Sequence, residues 1–245
     1  MKIAAIIPAR YASSRFPGKP LADLGGQSLV QRVYRGVEST GLVDRVIVAT
    51  DDQRIFDHVT SFGGEVSMTA TDHPSGTDRV AEVAAQVDDC ELIVNVQGDE
   101  PFVNRKQLAA LIGCFDQPAT QIATLARPID EEADLFSPNV VKVVRGQANQ
   151  ALYFSRQAIP FLRDLPLGRW LEAKAHLQHL GLYAFRRPTL LEITNLPAAE
   201  LEERESLEQL RWLAAGYRIS VALTTERSIG IDTPGDLLAA LDHFS

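Results

Sequence analysis

The alternation of short β-branched runs with helix-forming stretches in the first half of the chain restricts its fold more than any other feature. Apolar runs at residues 3–7, 45–49 and 92–96 are separated by segments whose apolar positions have helical spacing. This order is typical of βαβ units, in which helices connect parallel strands. The run at 92–96 has no polar alternation, as expected for a strand covered on both faces. The sequence therefore predicts an α/β fold with a mainly parallel central sheet flanked by helices.

Helices and further strands are predicted between these runs from apolar spacing and capping residues. Ser28 can cap a helix whose apolar positions are Leu29, Val33, Tyr34 and Val37. Other helices are expected at residues 53–62, 77–86 and 105–115, with strands around Val66 and at residues 122–125. The apolar helix faces suit either a core or a subunit interface.

After Pro128 the alternation of strands and helices ends. Strands are predicted at residues 140–144, 151–154 and 180–185, and no helix separates the first two, which favours a smaller antiparallel subregion. Residues 162–177 match no clear element, so the alternatives are a mobile loop and an oligomer arm. The chain is expected to close with a charged helix at 200–216, a strand at 219–223 and a helix from Thr233.

Composition and charge exclude several classes of protein. Apolar residues make up 45% and charged residues 23% of the 245 residues, which is typical of a globular domain and not of a disordered chain. The net charge of −8 argues against a general nucleic-acid-binding surface. Cys90 and Cys114 lack CxxC spacing and are expected to be unpaired thiols. Because no apolar run approaches the ~20 residues of a membrane span and no signal peptide is recognised, we expect a cytoplasmic location.

Basic residues are concentrated in the loop that follows the first strand. Arg10, Arg15 and Lys19 lie between that strand and the helix capped by Ser28. In an open α/β sheet, ligands bind at the carboxyl ends of the strands, where a helix amino terminus also favours anions. The loop matches neither GxGxxG nor GxxxxGK[ST], so side chains rather than glycine-rich backbone are expected to hold phosphates. The alternative is a solvated loop with two turn prolines.

Acidic residues lie next to two apolar segments. Asp99 follows the strand predicted at 92–96, and Asp232 precedes the last predicted helix. Mg2+ commonly binds one or two carboxylates together with phosphate oxygens, so both residues are candidate metal ligands. For Asp232 the alternative is an ordinary helix cap before Thr-Pro.

Two histidine-containing segments are less informative by themselves. The small residues between His73 and Arg79 suit either the approach of a base and its phosphates or a simple turn and cap. His176 and His179 are three residues apart, which on a strand directs them to opposite faces and argues against a shared zinc ion.

Taken together, these segments resemble the 3-deoxy-manno-octulosonate cytidylyltransferases, which make CMP-Kdo for bacterial lipopolysaccharide. The resemblance rests on IIPARYASSRFPGKPL, VIVATDD, GGEVSMT, SGTDR, VNVQGDEP, NVVKVV, ALYFSRQAIPF, HLGLYAFR, LEQLR and GIDTPGDL, in this order along nearly the whole chain. It implies a nucleotide-diphosphosugar transferase-like fold, CTP and Kdo as substrates, Mg2+ as cofactor, and a homodimer without nucleic-acid or membrane partners. It also implies a single domain over residues 1–245, with a nucleotide-binding part at about 1–127 and a sugar-binding and dimerisation part at about 128–225.

The resemblance also implies roles for individual residues. Those expected around the nucleotide are Pro8, Ala9, Arg10, Arg15, Lys19, Ser75, Gly76, Arg79 and Gln97. Those expected around the sugar are Gln97, Arg156, His179, Tyr183, Glu208 and Gln209, and Arg156 would pair with the sugar carboxylate. The expected catalytic residues are Arg15 and Lys19, on the triphosphate, and the Mg2+ ligands Asp99 and Asp232.

The chain departs from the family pattern at Gln178, where a basic residue is usual before His-Leu-Gly. A cytidylyltransferase for a related acid sugar, 8-amino-Kdo or a sialic acid, is therefore the alternative function. The segment between Phe161 and Leu177 also fits the family poorly, as a variable loop would. A noncatalytic nucleotide-binding protein is a third alternative, against which the pair Asp99 and Asp232 argues.

Overall fold

The structure, a computed structural model, describes residues 1–12 and 16–241. In chain order the strands are β1 (Ile3–Ala9), β2 (Arg45–Thr50), β3 (Glu65–Met68), β4 (Leu92–Asn95), β5 (Ile122–Pro128), β6 (Lys142–Arg145), β7 (Ala151–Ser155), β8 (Leu177–Arg186) and β9 (Ile219–Leu223). The α-helices are α1 (Leu29–Ser39), α2 (Gln53–Ser61), α3 (Gly76–Gln86), α4 (Arg105–Gly113), α5 (Glu132–Phe136), α6 (Arg187–Ile193), α7 (Glu200–Glu205), α8 (Gln209–Ala214) and α9 (Pro234–Leu241). The elements predicted in the first half of the chain are confirmed.

The chain forms two compact units. Unit 1 comprises Met1–Leu108, Phe185–Thr194 and the residues from Ser228 onward, and unit 2 comprises Ala109–Ala184 and Asn195–Arg227. Each unit is therefore assembled from separate stretches of the chain.

Unit 1 contains strands in the order β3-β2-β1-β4. All three pairings are parallel, and Ile6 of β1 lies opposite both Ile47 of β2 and Asn95 of β4. Because these strands run in the same direction, their carboxyl ends meet at one edge of the sheet. The predicted parallel arrangement is confirmed.

Helices α1, α2 and α3 pack against the strands of unit 1. The apolar positions Leu29, Val33 and Val37 of α1 have no solvent exposure. Ser28 caps α1, since its Oγ accepts a hydrogen bond from the Gln31 backbone N–H at 3.2 Å. The same Oγ lies 2.7 Å from Nε2 of His58 on α2. The Ser28 hydroxyl therefore satisfies a backbone N–H group at the start of α1 and also links α1 to α2.

Unit 2 combines parallel and antiparallel strands. β5 and β9 pair in parallel, with Ile122 opposite Ile219, and the order of strands is β8-β5-β9. β6 pairs antiparallel with both β7 and β8, so that Lys142 lies opposite Ser155 on one side and Gln178 on the other. The predicted antiparallel subregion is confirmed.

Residues 162–177, for which the sequence predicts no clear element, contain a short 3-10 helix at Leu167–Ala173. Its Trp170 is buried and stacks on His176, with ring centroids 5.3 Å apart. The Trp170 indole N–H also donates to the Leu165 carbonyl at 3.0 Å. This packing argues against a mobile loop. It could not be predicted from the sequence, because one buried aromatic residue produces no periodic pattern.

The single helix predicted at residues 200–216 is wrong. The structure has two short helices, α7 and α8, and the chain between them takes a left-handed conformation at Ser206, with φ of 51°. An L-residue in this conformation ends an α-helix. The charged residues on both sides favour a helix, so local propensity predicted no break, whereas the burial of Leu207 draws the chain inward.

Neither cysteine forms a disulfide, as expected from the sequence. Burial raises the pKa of both the Cys90 and the Cys114 thiol, so both remain protonated near neutral pH. No helix among the described residues is both long and apolar enough to cross a membrane.

Replacing Ser28 by Ala is expected to lower the free energy of unfolding by about 1–2 kcal/mol, because it removes the cap of α1 and the partner of His58. Urea denaturation followed by circular dichroism measures the change. Ser39→Ala, at the exposed end of the same helix, is the matched control and should change stability by less than about 0.5 kcal/mol. Equal losses in the two variants would contradict the role given to Ser28.

Candidate active site

The carboxyl ends of β1 and β4 open into a pocket of about 270 Å³ in unit 1. The lining residues are Pro8, Ala9, Arg10, Lys19, Pro20, His73, Pro74, Ser75, Gly76, Arg79, Gln97, Gly98, Asp99 and Asp232. The structure thus brings together every described residue that was expected around the nucleotide, together with both expected metal ligands. Arg15, the remaining expected residue, lies outside the described residues.

The pocket depends on glycine at position 98. A Cβ atom there would lie 2.7 Å from the Pro8 carbonyl oxygen, closer than Cβ atoms approach backbone in real proteins. β1 and β4 are hydrogen-bonded neighbours, and the Val96 N–H still donates to the Ile6 carbonyl at 3.0 Å beyond the end of β4. The two segments therefore leave the sheet in contact, and Asp99 follows beside the end of β1.

Lys19 joins the two candidate metal ligands. Its Nζ donates to Asp99 Oδ2 at 2.8 Å and to the Ile231 carbonyl at 2.9 Å, and it lies 3.5 Å from Asp232 Oδ1. Lys19 is the first residue of a short 3-10 helix. Gly18, which precedes this helix, has a left-handed conformation with φ of 73°. A single cationic group contacts both carboxylates, so this pair is close enough to share one divalent cation.

Thr233, and not Asp232, caps α9. The Asp236 N–H donates to Thr233 Oγ1 at 3.2 Å, and the Asp236 carboxylate accepts from the backbone N–H groups of Asp232 and Thr233 at 3.0 and 2.8 Å. This reciprocal arrangement is a capping box. The alternative of a helix cap for the Asp232 side chain is therefore wrong, and its carboxylate is directed to Lys19.

Glu100 adjoins the carboxylate pair. Burial, with a further contribution from the charge of Asp99, raises the pKa of Glu100 to about 7. A large fraction of Glu100 is therefore protonated near neutral pH, which limits the negative charge beside Asp99.

The amino terminus of α3 forms another wall of the pocket. Ser75 caps the helix by accepting a hydrogen bond from the Asp78 N–H at 3.2 Å. A Cβ atom on Gly76 would lie 3.5 Å from the ring of Pro8, so the helix start is packed closely against the end of β1. The N–H groups of a first helical turn favour negative or electron-rich ligand atoms.

Arg79 and Arg10 reach the pocket in different ways. Arg79 is 4% exposed, and its guanidinium donates to the Asp51 carboxylate at 2.7 Å and also binds Thr69. Its charge is largely offset by Asp51, so Arg79 is better suited to fixing the wall than to binding phosphate. Arg10 is exposed at the pocket and is the more available cation of the two.

His73 lines the pocket, a position that was not expected from the sequence. Its Nε2 contacts the Glu82 carboxylate, which also accepts a hydrogen bond from the Ala70 N–H at 3.0 Å. Pro20, Pro74 and Gly98 are the other lining residues that were not expected. The position of His73 beside the Ser-Gly pair was the only sequence signal for it.

Unit 2 holds the other group of expected residues. His179 and Tyr183 lie on β8 with ring centroids 5.3 Å apart, and His179 Nε2 is 3.0 Å from Thr124 Oγ1. Tyr183 also packs edge-on against Trp212 at 5.2 Å. Burial lowers the pKa of His179 to about 3 and raises the pKa of Tyr183. Both side chains are therefore neutral and offer hydrogen bonds rather than charge.

Glu208 and Gln209 lie at the start of α8. The Glu208 carboxylate pairs with the Arg211 guanidinium at 3.0 Å, and Gln209 is buried. Both belong to the same unit as His179 and Tyr183.

Arg156 follows β7, and its guanidinium donates to three backbone carbonyls. The bonds run from Nε to Glu205 at 2.7 Å, from Nη1 to Pro138 at 2.9 Å and from Nη2 to Ser206 at 3.2 Å. Because these acceptors are uncharged carbonyl oxygens, they orient the guanidinium without neutralising it.

Gln178, the departure from the family pattern, accepts a hydrogen bond from Arg127 Nε at 2.9 Å. Arg127 is buried and also binds Asp130 at 3.0 Å. A basic side chain at position 178 would place a second cation beside this guanidinium. The uncharged Gln178 amide therefore avoids electrostatic repulsion with the Arg127 guanidinium.

Comparisons with known proteins show the family of the chain. The cytidylyltransferase family model matches residues 4–219. The chain is 52% identical to the 3-deoxy-manno-octulosonate cytidylyltransferase of Phocaeicola vulgatus and 50% identical to that of Parabacteroides distasonis, over 98% of this chain and 96% and 97% of those proteins. The chain belongs to the 3-deoxy-manno-octulosonate cytidylyltransferase family.

A solved structure extends this likeness to three dimensions. The structure of CMP:2-keto-3-deoxy-manno-octonic acid synthetase complexed with CTP aligns with a TM-score of 0.92 and 41% sequence identity, over 100% of this chain and 98% of that one. The family resemblance and the fold predicted from the sequence are both confirmed.

Gly98→Ala is expected to lower stability by more than about 2 kcal/mol and to weaken CTP binding at least about tenfold, because the added methyl group must displace Pro8 or Asp99. Calorimetric titration with CTP and thermal unfolding measure the two effects. Gly113→Ala is the control, since a Cβ atom there meets nothing within 4 Å. Unchanged CTP binding by a folded Gly98→Ala protein would contradict the close approach described above.

His179 is expected to make stability depend on pH. Its folded pKa of about 3 lies below its usual value, so the unfolded chain takes up the proton first, and the stability it contributes is lost as pH falls from about 6.5 towards 3. His179→Gln should remove up to about 1.4 kcal/mol per pH unit of this slope. Urea denaturation of both proteins between pH 4 and about 7 tests this expectation. Parallel curves would contradict burial of a neutral imidazole.

Proposed function

We propose that this protein activates 3-deoxy-D-manno-octulosonate (Kdo) with CTP, giving CMP-Kdo and pyrophosphate. The observation that carries the proposal is the contact of one ammonium group, that of Lys19, with both Asp99 and Asp232 inside the pocket at the ends of β1 and β4. A lysine beside a carboxylate pair suits the binding of a triphosphate together with a divalent cation. We infer the substrates, CTP and Kdo, from membership of the family.

The proposed reaction is a nucleotidyl transfer. The anomeric 2-hydroxyl of Kdo attacks the α-phosphorus of CTP, and a new oxygen–phosphorus bond forms. The bond from the α-phosphorus to the bridging oxygen breaks, so pyrophosphate leaves with that electron pair, and the hydroxyl proton passes to solvent. In such transfers most of the rate acceleration comes from positioning and from stabilisation of developing charge.

Asp99 and Asp232 are the residues that would hold Mg2+. Both carboxylates already contact one cation in the structure, and hard oxygen ligands are the ones that Mg2+ prefers. When bound, Mg2+ would supply positive charge that polarises the α-phosphate and lowers the pKa of the attacking hydroxyl.

Basic side chains would hold the triphosphate and offset the charge of the leaving pyrophosphate. Lys19 and Arg10 line the pocket, and Arg15 follows in the same loop of the sequence. Ser75 and Gly76, at the start of α3, would lie against the cytidine, with Gln97 towards the sugar.

Residues of unit 2 would bind the acid sugar. Arg156 would pair with its carboxylate, for which a guanidinium oriented by backbone carbonyls is suited. The neutral His179 and Tyr183, together with Glu208 and Gln209, would bind the sugar hydroxyls.

The setting of the reaction is also a proposal. The protein would act as a cytoplasmic homodimer that supplies CMP-Kdo for lipopolysaccharide biosynthesis. The unpaired thiols support a reducing compartment. Exposed apolar side chains in unit 2, such as Leu152 at 64% and Phe161 at 73%, support a subunit contact. We retain the division into a nucleotide-binding part at about 1–127 and a sugar-binding part at about 128–225 as part of this proposal.

The decisive experiment measures pyrophosphate release from CTP and Mg2+ with Kdo, 8-amino-Kdo or a sialic acid as the acceptor. We expect turnover with Kdo, and a loss of kcat/KM on the order of 1,000-fold in Asp99→Asn, which keeps the shape of the side chain but removes its charge. Asp116→Asn, a change at an exposed carboxylate of unit 2, is the control and should retain full activity.

The three acceptors separate the alternatives. Turnover confined to 8-amino-Kdo or the sialic acid would transfer the proposal to that sugar. Release of pyrophosphate with none of them would leave a noncatalytic nucleotide-binding protein.

A further inference from the structure

Lys142 is a buried lysine to which the proposed reaction assigns no role. Its side chain has no solvent exposure, and Nζ donates to the backbone carbonyls of Ser137 at 2.8 Å, Val140 at 2.6 Å and Arg156 at 2.6 Å. All three N–H donors of the ammonium group are therefore bound to backbone carbonyls. Burial lowers the pKa of Lys142, as expected for a cation removed from water.

Glu205 holds Arg156 from the other side. Its carboxylate accepts hydrogen bonds from the Arg156 backbone N–H at 2.9 Å and from the Ser155 hydroxyl at 2.6 Å. Its carbonyl oxygen accepts a bond from Arg156 Nε at 2.7 Å. Residue 156 is thus fixed at its amide and side chain by Glu205 and at its carbonyl by Lys142.

The Arg156 guanidinium reaches a segment that Lys142 also binds. Nη1 donates to the Pro138 carbonyl at 2.9 Å, and Pro138 lies between Ser137 and Val140, whose carbonyls bind the Lys142 ammonium. Lys142 therefore ties together the backbone of Arg156 and the segment that orients its guanidinium. Each terminal nitrogen of that guanidinium keeps an N–H group that these carbonyls do not use, which leaves donors for a ligand.

We propose that Lys142 and Glu205 are positioning residues that hold Arg156 in the orientation required to bind the carboxylate of the acid sugar. This inference rests on the proposed function, in which Arg156 is the carboxylate-binding residue. A long arginine side chain loses considerable rotamer entropy when it binds, and a clamp formed in advance removes part of that cost. A buried cation with only carbonyl acceptors is also a weak source of stability by itself, so a role in the site accounts for it better.

Lys142→Met keeps the length of the side chain and removes its charge and donors. We expect KM for Kdo to rise on the order of tenfold, while KM for CTP and kcat at saturating Kdo change by less than about twofold. Arg156→Ala, which removes the carboxylate-binding group itself, should raise KM for Kdo on the order of 100-fold. Lys142→Met also removes the side-chain donor from the carbonyls of Ser137, Val140 and Arg156, so its stability is measured in parallel.

Glu205→Gln is the second variant, because it changes the same clamp from its more exposed side. It should also raise KM for Kdo selectively. Val221→Ala, a cavity mutation in the buried part of β9, is the control for a general loss of stability in unit 2 and should leave KM for Kdo unchanged.

Two comparisons separate positioning from a merely structural role. In the Arg156→Ala background, Lys142→Met should change KM for Kdo by less than about twofold, because the group that it positions is absent. With the methyl ester of Kdo, which lacks the carboxylate charge, wild type and Lys142→Met should have equal kcat/KM. Both results would support the proposal.

Several outcomes would overturn it. A folded Lys142→Met protein with unchanged KM for Kdo, or one with equal losses for Kdo, its methyl ester and CTP, gives Lys142 a structural role only. An additive effect in the double variant does the same. If Arg156→Ala leaves KM for Kdo unchanged, the proposal fails at Arg156 while the proposed function stands. Absence of Kdo turnover in the wild-type protein overturns the proposed function and with it the basis of this inference.

Discussion

The parallel register of β1 with its neighbours is the constraint on which the pocket of unit 1 depends. Ile6 lies opposite Asn95, so the two chains leave the sheet together and Gly98 meets the Pro8 carbonyl, where no Cβ atom fits. The close approach places Asp99 within 2.8 Å of Lys19 Nζ. Backbone pairing therefore fixes the positions of the charged side chains, and their chemistry follows from that placement.

The basic residues of the unit 1 pocket and those around Arg156 have different partners. In the pocket, Lys19 contacts Asp99, and Arg79 contacts Asp51. Around Arg156, the Lys142 ammonium and the Arg156 guanidinium donate to backbone carbonyls. Carbonyl dipoles orient a cation without cancelling its charge, and the nearby Glu205 carboxylate binds the Arg156 backbone N–H and the Ser155 hydroxyl.

Local patterns predicted the elements well and failed where distant contacts decide the backbone conformation. The spacing of β-branched runs and the cap at Ser28 are local signals, and the structure confirms both. The break at Ser206 has no local signal, since helix-favouring residues flank it and the carbonyls of Glu205 and Ser206 are bound by Arg156 from far along the chain. The packing of Trp170 on His176 is of the same kind.

The sequence by itself determined the α/β class and the family and, through the resemblance to that family, most of the residues that line the pocket at the ends of β1 and β4. It could do so because each motif is a run of consecutive residues, which the sequence shows directly. Parallel strands then bring the loops that follow them to one edge of the sheet. Only the tertiary structure decided that Thr233 caps α9 in place of Asp232. It also decided that Asp51 offsets the charge of Arg79 and that Lys142 binds the Arg156 carbonyl. Each depends on hydrogen-bond partners whose distances and angles no residue spacing specifies.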